Sequence, residues 1–245
     1  MAAVQASKKV VVFGGTGKTG LHVVQQALDR GHHVTVIARS PEKMTIKNDN
    51  LVVVKGDIFD IESFSPSFEG KDAILSTFGT AFHSIFNPTT EYSESMKGIL
   101  QTMKKVLRCN FWRLQNNFRY KSYRHGVNRL IVETSWGTEA TPGGPFSLEW
   151  IIKPLLLNGM LKDMGVMEHM IEKEEGINYT IVRPAGLTND PPNGKYKIEE
   201  GVYCNKTGTT HRIPRADVAA CMLNCLDTDQ YDKKGIAIAT LIEPS

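Results

Sequence analysis

Residues 10–20 read V-V-V-F-G-G-T-G-K-T-G, an apolar run that glycines interrupt at positions 14, 15, 17 and 20 before a helical pattern begins. Glycines spaced G-x-x-G-x-x-G let a chain turn sharply after a buried strand, approach a pyrophosphate and pack the next helix on the sheet. The N-terminus of that helix offers free N–H donors. A P-loop is excluded, because the glycine it requires five residues before Gly17 is Val12. The stretch predicts a nucleotide-phosphate turn, with a purely structural turn as the alternative.

The composition is that of an ordinary globular protein. The chain has 245 residues, of which 41% are apolar and 22% charged, enough for one α/β domain with a full core. Its four cysteines form no C-x-x-C pair and have no histidine at zinc spacing, so no metal site is expected. The first nine residues lack an apolar stretch followed by a cleavage site, which favours a reducing, cytoplasmic location. The most apolar window, 146–161, is too short and too charged for a membrane anchor.

Strand and helix patterns alternate along the chain. Short β-branched runs recur at residues 10–13, 34–38, 51–54, 73–77, 130–134 and 179–182. Between them lie helical patterns, one ended by Gly31 and another with Asn87 as N-cap, Pro88 as first residue and an end near Leu107. Such alternation implies parallel strands with right-handed crossovers. We therefore predict a doubly wound parallel sheet, a Rossmann fold, in a single domain over residues 1–245, with ligands bound at the carboxyl ends of the strands.

One segment departs from this alternation. Residues 104–125 contain seven Lys or Arg, no acid and five aromatic residues. Interleaved basic and aromatic residues can bind single-stranded nucleic acid, but an extended, half-solvated helix end or loop insertion explains them better. We interpret residues 105–124 as a basic, aromatic insertion that projects from the core, and expect no nucleic acid partner.

The ends of the next strands carry candidate cofactor residues. Arg39 and Ser40 follow the second strand where an NAD-specific fold usually places an acid, so they suit the 2′-phosphate of NADPH; a solvated arginine is the alternative. Asp57 and Ile58 follow the third strand and would edge the adenine ring. After the fourth strand, residues 78–80 read F-G-T and would pass under the nicotinamide half.

In order along the chain, the motifs are the glycine turn, G-D-I-F-D at 56–60, F-G-T at 78–80, N-P-T-T at 87–90, T-S at 134–135, R-P at 183–184, R-I-P-R-A-D-V at 212–218 and D-T-D-Q-Y at 227–231. Together they resemble the atypical short-chain dehydrogenase/reductases, in particular the biliverdin reductase B and NADPH-dependent flavin reductase branch. The resemblance covers nearly the whole chain. It implies NADPH as cofactor, Thr134 and Ser135 beside the nicotinamide, and Pro184 shaping its far side.

One departure from that branch and one difference from short-chain dehydrogenases in general bear on the chemistry. The histidine that the family carries two residues after the R-P proline is Gly186 here, while a second histidine position matches His169, for which a solvated surface position is the alternative. The Tyr-x-x-x-Lys pair of short-chain dehydrogenases is missing. Without such an acid, alcohol or ketone interconversion is not expected. Hydride transfer to a conjugated acceptor needs less, because solvent can supply the proton.

We therefore predict an NADPH-dependent reductase of a flavin or biliverdin-like acceptor. The expected partner is that small-molecule acceptor. We expect no association with a membrane, and we expect the protein to be a monomer. A non-enzymatic NADPH sensor or scaffold of the same fold is the alternative. The candidate catalytic residues are Ser135 and His169, and the apolar stretch 145–161 is a candidate pocket wall beside a core-helix alternative. The candidate cofactor residues are Gly14, Thr16, Gly17, Lys18, Thr19, Gly20, Arg39, Ser40, Asp57, Ile58, Phe78, Gly79, Thr80, Thr134 and Pro184.

Overall fold

A computed structural model of the protein describes residues 6–80, 89–115, 126–139, 158–204 and 208–242. Within these ranges the β-branched runs form strands and the periodic runs form helices, as the sequence predicts. The strands are β1 (Lys9–Phe13), β2 (His33–Ala38), β3 (Leu51–Lys55), β4 (Ala73–Ser76), β5 (Arg129–Glu133), β6 (Asn178–Pro184), β7 (Gly186–Thr188), β8 (Tyr196–Glu200), β9 (Arg212–Pro214) and β10 (Lys234–Thr240). The helices are α1 (Lys18–Asp29), α2 (Ile61–Phe64), α3 (Glu91–Gln115), α4 (Asn158–Glu172) and α5 (Arg215–Asp227).

The strands build one eight-stranded sheet in the order β3-β2-β1-β4-β5-β6-β10-β8, and β7 and β9 pair separately. All neighbours in the large sheet are parallel except β8, which runs antiparallel to β10. The chain moves outward from β1 to β3 and then returns to place β4 on the other side of β1. This reversal is the topological switch point of a doubly wound fold, where ligands bind. The predicted Rossmann-type sheet is confirmed.

Two hydrophobic layers cover the sheet. Val10, Val12 and Val36 point to the face that α1 and α5 cover. Their neighbours Val11 and Phe13 point to the opposite face, which α3 and α4 cover. The alternation follows from the two-residue side-chain period of a strand. Because both faces of the central strands β1, β4 and β5 are buried, their side chains are mostly apolar, as expected for a parallel sheet, whereas the edge strands β3 and β8 are partly exposed.

Helix α3 differs from its prediction at both ends. It begins at Glu91, where the backbone amides of Tyr92 and Ser93 donate to the Asp163 carboxylate of α4 at 2.8 and 3.3 Å; the predicted first residues lie outside the described ranges. It continues past the predicted end near Leu107 to Gln115, the last described residue of this range, because the sequence has no glycine or proline between these positions to end it. The basic segment thus begins as a continuation of α3, and residues 116–125 lie outside the described ranges.

No helix within the described ranges is long and apolar enough to cross a membrane.

Candidate functional site

A cavity of about 560 Å³ opens at the carboxyl ends of the central strands, at the switch point between β1 and β4. Its lining combines residues from β1, β2, β5, β7, α1, α3, α4 and α5 with the loop after β4, and these segments meet only in the folded chain. Twelve of the candidate residues line it, namely Gly14, Thr16, Gly17, Lys18, Thr19, Arg39, Ile58, Phe78, Gly79, Thr80, Thr134 and Ser135. The structure leaves Gly20, Ser40, Asp57, Pro184 and His169 out of this lining.

The glycine turn needs two of its glycines for the fold itself. Gly14 has a φ of +72°, and a Cβ there would lie 2.5 Å from the Thr77 carbonyl oxygen. A Cβ on Gly20 would lie 2.1 Å from the Gly14 carbonyl oxygen, so Gly20 lets α1 pack on the turn. Glycine at these two positions allows the close backbone contacts of the turn, and Gly20 has no other role visible in the structure.

The N-terminus of α1 faces the cavity without a side-chain cap. Its N-cap is Gly17, which makes no side-chain hydrogen bond, and its first turn contains no acid. Lys18 is exposed at the cavity and Thr19 is buried beneath it. Free amides and the positive end of the helix dipole make this position suitable for a phosphate.

A second cationic position lies at the end of β2. Arg39 is exposed there, and a 3₁₀ turn over Pro41–Lys43 brings Lys43 back to the same cavity. Ser40 begins this turn, its carbonyl accepting a hydrogen bond from the Lys43 amide at 3.1 Å. The sequence analysis missed Lys43; the Ser-Pro pair that initiates the turn is the signal that could have found it.

The loop after β3 contributes backbone and one apolar side chain to the cavity. Gly56 and Ile58 line the cavity, but Asp57 does not. The Asp57 carboxylate instead accepts the Phe59 amide at 3.1 Å, which fixes the local turn. Asp57 therefore shapes the loop on which Ile58 is presented.

The end of β4 forms an aromatic wall. Phe78 contacts Tyr92 of α3 and Phe59 edge to face, with ring centroids 5.7 and 5.9 Å apart. The Thr80 amide donates to the Tyr92 hydroxyl at 3.3 Å, and burial raises the pKa of this tyrosine, so it is neutral at physiological pH. Gly79 is exposed, and a Cβ on it would meet nothing within 4 Å. The fold does not require a glycine there, whereas close approach of a ligand would.

The turn after β5 is held by β6. The Thr134 amide donates to the Val182 carbonyl at 2.8 Å, and the Trp136 amide donates to the Pro184 carbonyl at 3.1 Å. Pro184 thus supports the turn from behind the cavity. Between these two anchors, Ser135 is half-buried and lines the cavity.

The two candidate catalytic residues are not brought together. His169 is exposed in the last turn of α4, outside the cavity lining. The residues that α4 presents to the cavity are Met160 and Met164, and Leu187 of β7 completes this apolar end. Most of the apolar stretch 145–161 lies outside the described ranges.

Glu133 is a residue at the cavity that sequence reasoning missed. It is the last residue of β5 and is 9% exposed. Burial raises the pKa of its carboxyl to about 7, although a hydrogen bond from the Thr19 hydroxyl (3.2 Å) and the charge of Arg215 lower it. The signal was an ionisable residue at the end of the apolar run Leu-Ile-Val-Glu, directly before the Thr134-Ser135 pair.

A doubly wound sheet with a glycine turn, an open helix N-terminus and a cationic strand end defines a dinucleotide-binding protein. Residues 14–229 match the NAD(P)H-binding family, and the chain therefore belongs to that family. The assignment of the chain to the NAD(P)-binding proteins, drawn from the sequence motifs, is confirmed.

Several known proteins are similar to this chain. An uncharacterized chloroplastic protein of Arabidopsis thaliana is 30% identical over 200 residues, which are 79% of this chain and 64% of that protein. Two solved structures share the fold. One is a candidate NADH-flavin reductase of Streptococcus pneumoniae, with a TM-score of 0.67, 21% identity and coverage of 96% of this chain and 100% of that one. The other is the anaerobillin reductase ChuY of Escherichia coli O157:H7, with a TM-score of 0.71, 18% identity and coverage of 97% and 100%.

Proposed function

We propose that the protein is an NADPH-dependent reductase that transfers hydride to a flavin or biliverdin-like conjugated acceptor. The observation that carries the proposal is a single cavity that joins a phosphate-binding turn to an apolar end. The turn is formed by residues 14–20, and the apolar end by Phe78, Met160, Met164 and Leu187. Ser135 lies at the same cavity.

The cationic end of β2 supports NADPH rather than NADH. Arg39 and Lys43 both line the cavity there, and Glu133 of β5 is the one carboxylate among the described lining residues. Two cations with no carboxylate among the described lining residues of this end suit a 2′-phosphate, whereas an NAD-specific site would hold a carboxylate against the ribose hydroxyls. The guanidinium can bind the phosphate through two N–H groups, and the ammonium adds a point charge.

The apolar end supports a flat acceptor. Phe78 offers an aromatic surface, and the two methionine side chains of α4 are flexible enough to fit an extended ring system. When bound, the reduced nicotinamide supplies a hydride, and the delocalised acceptor needs no strong acid from the protein. Ser135 would orient the acceptor or nicotinamide by one hydrogen bond, and Tyr92 would keep its proton. The flavin and anaerobillin reductases that share the fold support this acceptor class.

The test is steady-state oxidation of NADPH with riboflavin phosphate and with biliverdin, beside a thermal-shift titration with NADPH and NADH. We expect turnover with at least one acceptor and a larger thermal shift with NADPH. The matched control is Glu62→Gln, an exposed residue in α2 away from the cavity, which should behave as the unmodified protein.

A non-enzymatic NADPH sensor or scaffold is the second candidate function. It is favoured by the separation of Ser135 from His169, since no pair of catalytic side chains is assembled from the candidates. Cofactor binding without turnover of either acceptor would favour the sensor, and absence of any thermal shift would contradict both functions.

A further inference from the structure

Glu133 occupies an unusual position for a buried acid. Its register partner on β6 is Val182, so it ends β5 in the middle of the sheet. Side chains alternate along a strand, and Ile131 packs in the layer formed with α1 and α5. Glu133 therefore points to that same layer, beneath the helix that follows the glycine turn. It also lines the cavity, so a ligand bound at the turn would lie near it.

The charge of Glu133 is weakly compensated. In the described part of the chain its hydrogen bond partner is the hydroxyl of Thr19, at 3.2 Å. Arg215 contributes favourable charge from the start of α5, but its guanidinium donates to Asn189 at 2.7 Å and is partly exposed. A buried carboxylate with one neutral donor is expensive to ionise.

A bound dinucleotide would add negative charge next to this carboxyl. Thr19 lies in the first turn of α1, the same turn whose free amides face the cavity. A diphosphate bound to those amides would therefore stand close to Glu133, and two like charges at a buried site repel. Protonation of Glu133 removes the repulsion and leaves an O–H group that can donate a hydrogen bond.

We propose that Glu133 couples dinucleotide binding to proton uptake: the diphosphate binds at the glycine turn with Glu133 protonated, and the proton comes from solvent. This inference rests on the proposed function only in that a dinucleotide binds; it does not require turnover. Binding becomes weaker as Glu133 ionises, so the affinity depends on pH around neutrality.

The other charged groups around Glu133 are lysine, arginine and aspartate side chains on three sides of it. On α1 there is Lys18, and on α5 there are Arg215 and Asp217, the last with its carboxylate bound to the amides of Asn193 and Gly194 at 3.2 and 3.1 Å. Across the cavity are Arg39, Lys43 and Tyr92. No histidine or cysteine is among the described lining residues. A pH dependence of binding that is lost when the Glu133 carboxyl is removed therefore reports on Glu133.

The expected pH profile follows from linkage. Burial raises the pKa of Glu133 to about 7, and a bound diphosphate raises it further. Relative to a variant without this carboxyl, the dissociation constant of the unmodified protein should then be flat at acidic pH and rise above neutrality, reaching about tenfold weaker binding at pH 8 than at pH 6.

The experiment is calorimetric titration of the full chain with NADP⁺ in two buffers of different ionisation enthalpy, at several values from pH 6 to pH 8. We compare the unmodified protein with Glu133→Gln and with the control Glu62→Gln. The 2′-phosphate itself titrates near pH 6, but its contribution is common to all three proteins and cancels. At pH 7.5, we expect the unmodified protein and Glu62→Gln each to take up more protons per bound NADP⁺ than Glu133→Gln does. The expected difference is more than half a proton.

A second variant keeps the test decisive if Glu133→Gln does not fold. Arg215→Gln removes a positive charge that stabilises the ionised carboxyl, so the affinity should begin to fall at a higher pH. Equal proton uptake in the unmodified protein and Glu133→Gln, or an unchanged profile in Arg215→Gln, would overturn the inference while dinucleotide binding stands. Absence of NADP⁺ binding at every pH would instead overturn the proposed function.

Discussion

Charged side chains on the neighbouring strands β5 and β6 are compensated in opposite ways. Arg183 of β6 is 4% exposed and donates to Glu168 of α4 at 2.9 Å. The same guanidinium donates to Glu139 at 2.9 Å, and Thr138 donates to Glu168 at 2.8 Å. These four residues, which we call the Arg183 cluster, satisfy one another. The cluster ties the chain after β5 to α4 and β6 and leaves no donor directed into the cavity.

The cavity charges face open space instead. Arg39, Lys43 and Lys18 are exposed at its walls, and Glu133 has one hydrogen bond from a threonine. Charges that already have partners contribute to stability, whereas charges directed at a cavity are available to a ligand. The comparison predicts that substitutions in the Arg183 cluster lower stability and spare cofactor affinity, whereas substitutions of the charged cavity residues change cofactor binding without lowering stability.

The largest effect is expected from Arg183→Met. It leaves Glu168 buried without its guanidinium, so the free energy of unfolding should fall by about 3 to 5 kcal/mol at pH 7. Urea denaturation followed by circular dichroism measures this. Adding Glu168→Gln to the same protein should recover part of the loss, because the uncompensated charge is gone. A decrease of less than about 1 kcal/mol in the free energy of unfolding would mean that the Arg183 cluster does not stabilise the fold, which would contradict the comparison.

The next effect has the opposite sign. Glu133→Gln should raise the free energy of unfolding by about 3 kcal/mol at pH 8, since ionising this buried carboxyl destabilises the folded state. The pKa of Glu133 is raised from 4.5 to about 7 on folding. Both states are protonated below pH 4.5, so the two proteins should be equally stable there. The difference should grow between pH 4.5 and 7 and stay constant above.

Urea denaturation at pH 4.5, 6, 7 and 8 gives this profile. The control Glu62→Gln, on an exposed turn of α2, should track the unmodified protein throughout. A gain that does not depend on pH would mean that better packing of the amide, rather than removal of a charge, is responsible.

A smaller effect is expected at the other end of the cavity. Arg39→Asp should remove a preference for NADPH over NADH of ~1.5 to 3 kcal/mol, because the 2′-phosphate would lose a charged donor and meet a carboxylate. Stability should change by less than about 0.5 kcal/mol, since Arg39 is exposed. The dissociation constants of both cofactors, by fluorescence titration, measure the preference. Equal constants in the unmodified protein would contradict the assignment of this end to the phosphate.

The sequence predicts the fold better than it predicts the site. Each β-branched run became a strand within two residues of its predicted bounds, because buried parallel strands need continuous apolar side chains. Strand β10, which reads K-G-I-A-I-A-T, was not predicted, since glycine and alanine have low strand propensity. Its small residues suit a crowded position: a Cβ on Gly235 would lie 2.2 Å from the Arg183 guanidinium.

The site depends on residues from distant parts of the chain. The glycine turn is local and could be recognised from its spacing. Lys43, Glu133 and Met164 reach the cavity only through a 3₁₀ turn, a strand end and a helix face, which no single motif encodes. In the same way, the match between His169 and a family histidine did not predict where the side chain lies. In the folded chain it is exposed and outside the cavity lining.

The smallest effect concerns turnover itself. If solvent supplies the proton, Ser135 contributes one hydrogen bond, and Ser135→Ala should lower turnover of riboflavin phosphate by about tenfold, or ~1.4 kcal/mol. His169→Ala should do less, because the imidazole is exposed outside the cavity lining. Both variants should keep the stability of the unmodified protein and its affinity for NADPH, measured beside turnover at saturating cofactor. A loss beyond a thousandfold in either variant, with affinity unchanged, would reveal a dedicated proton donor and place that residue among reacting groups rather than orienting ones.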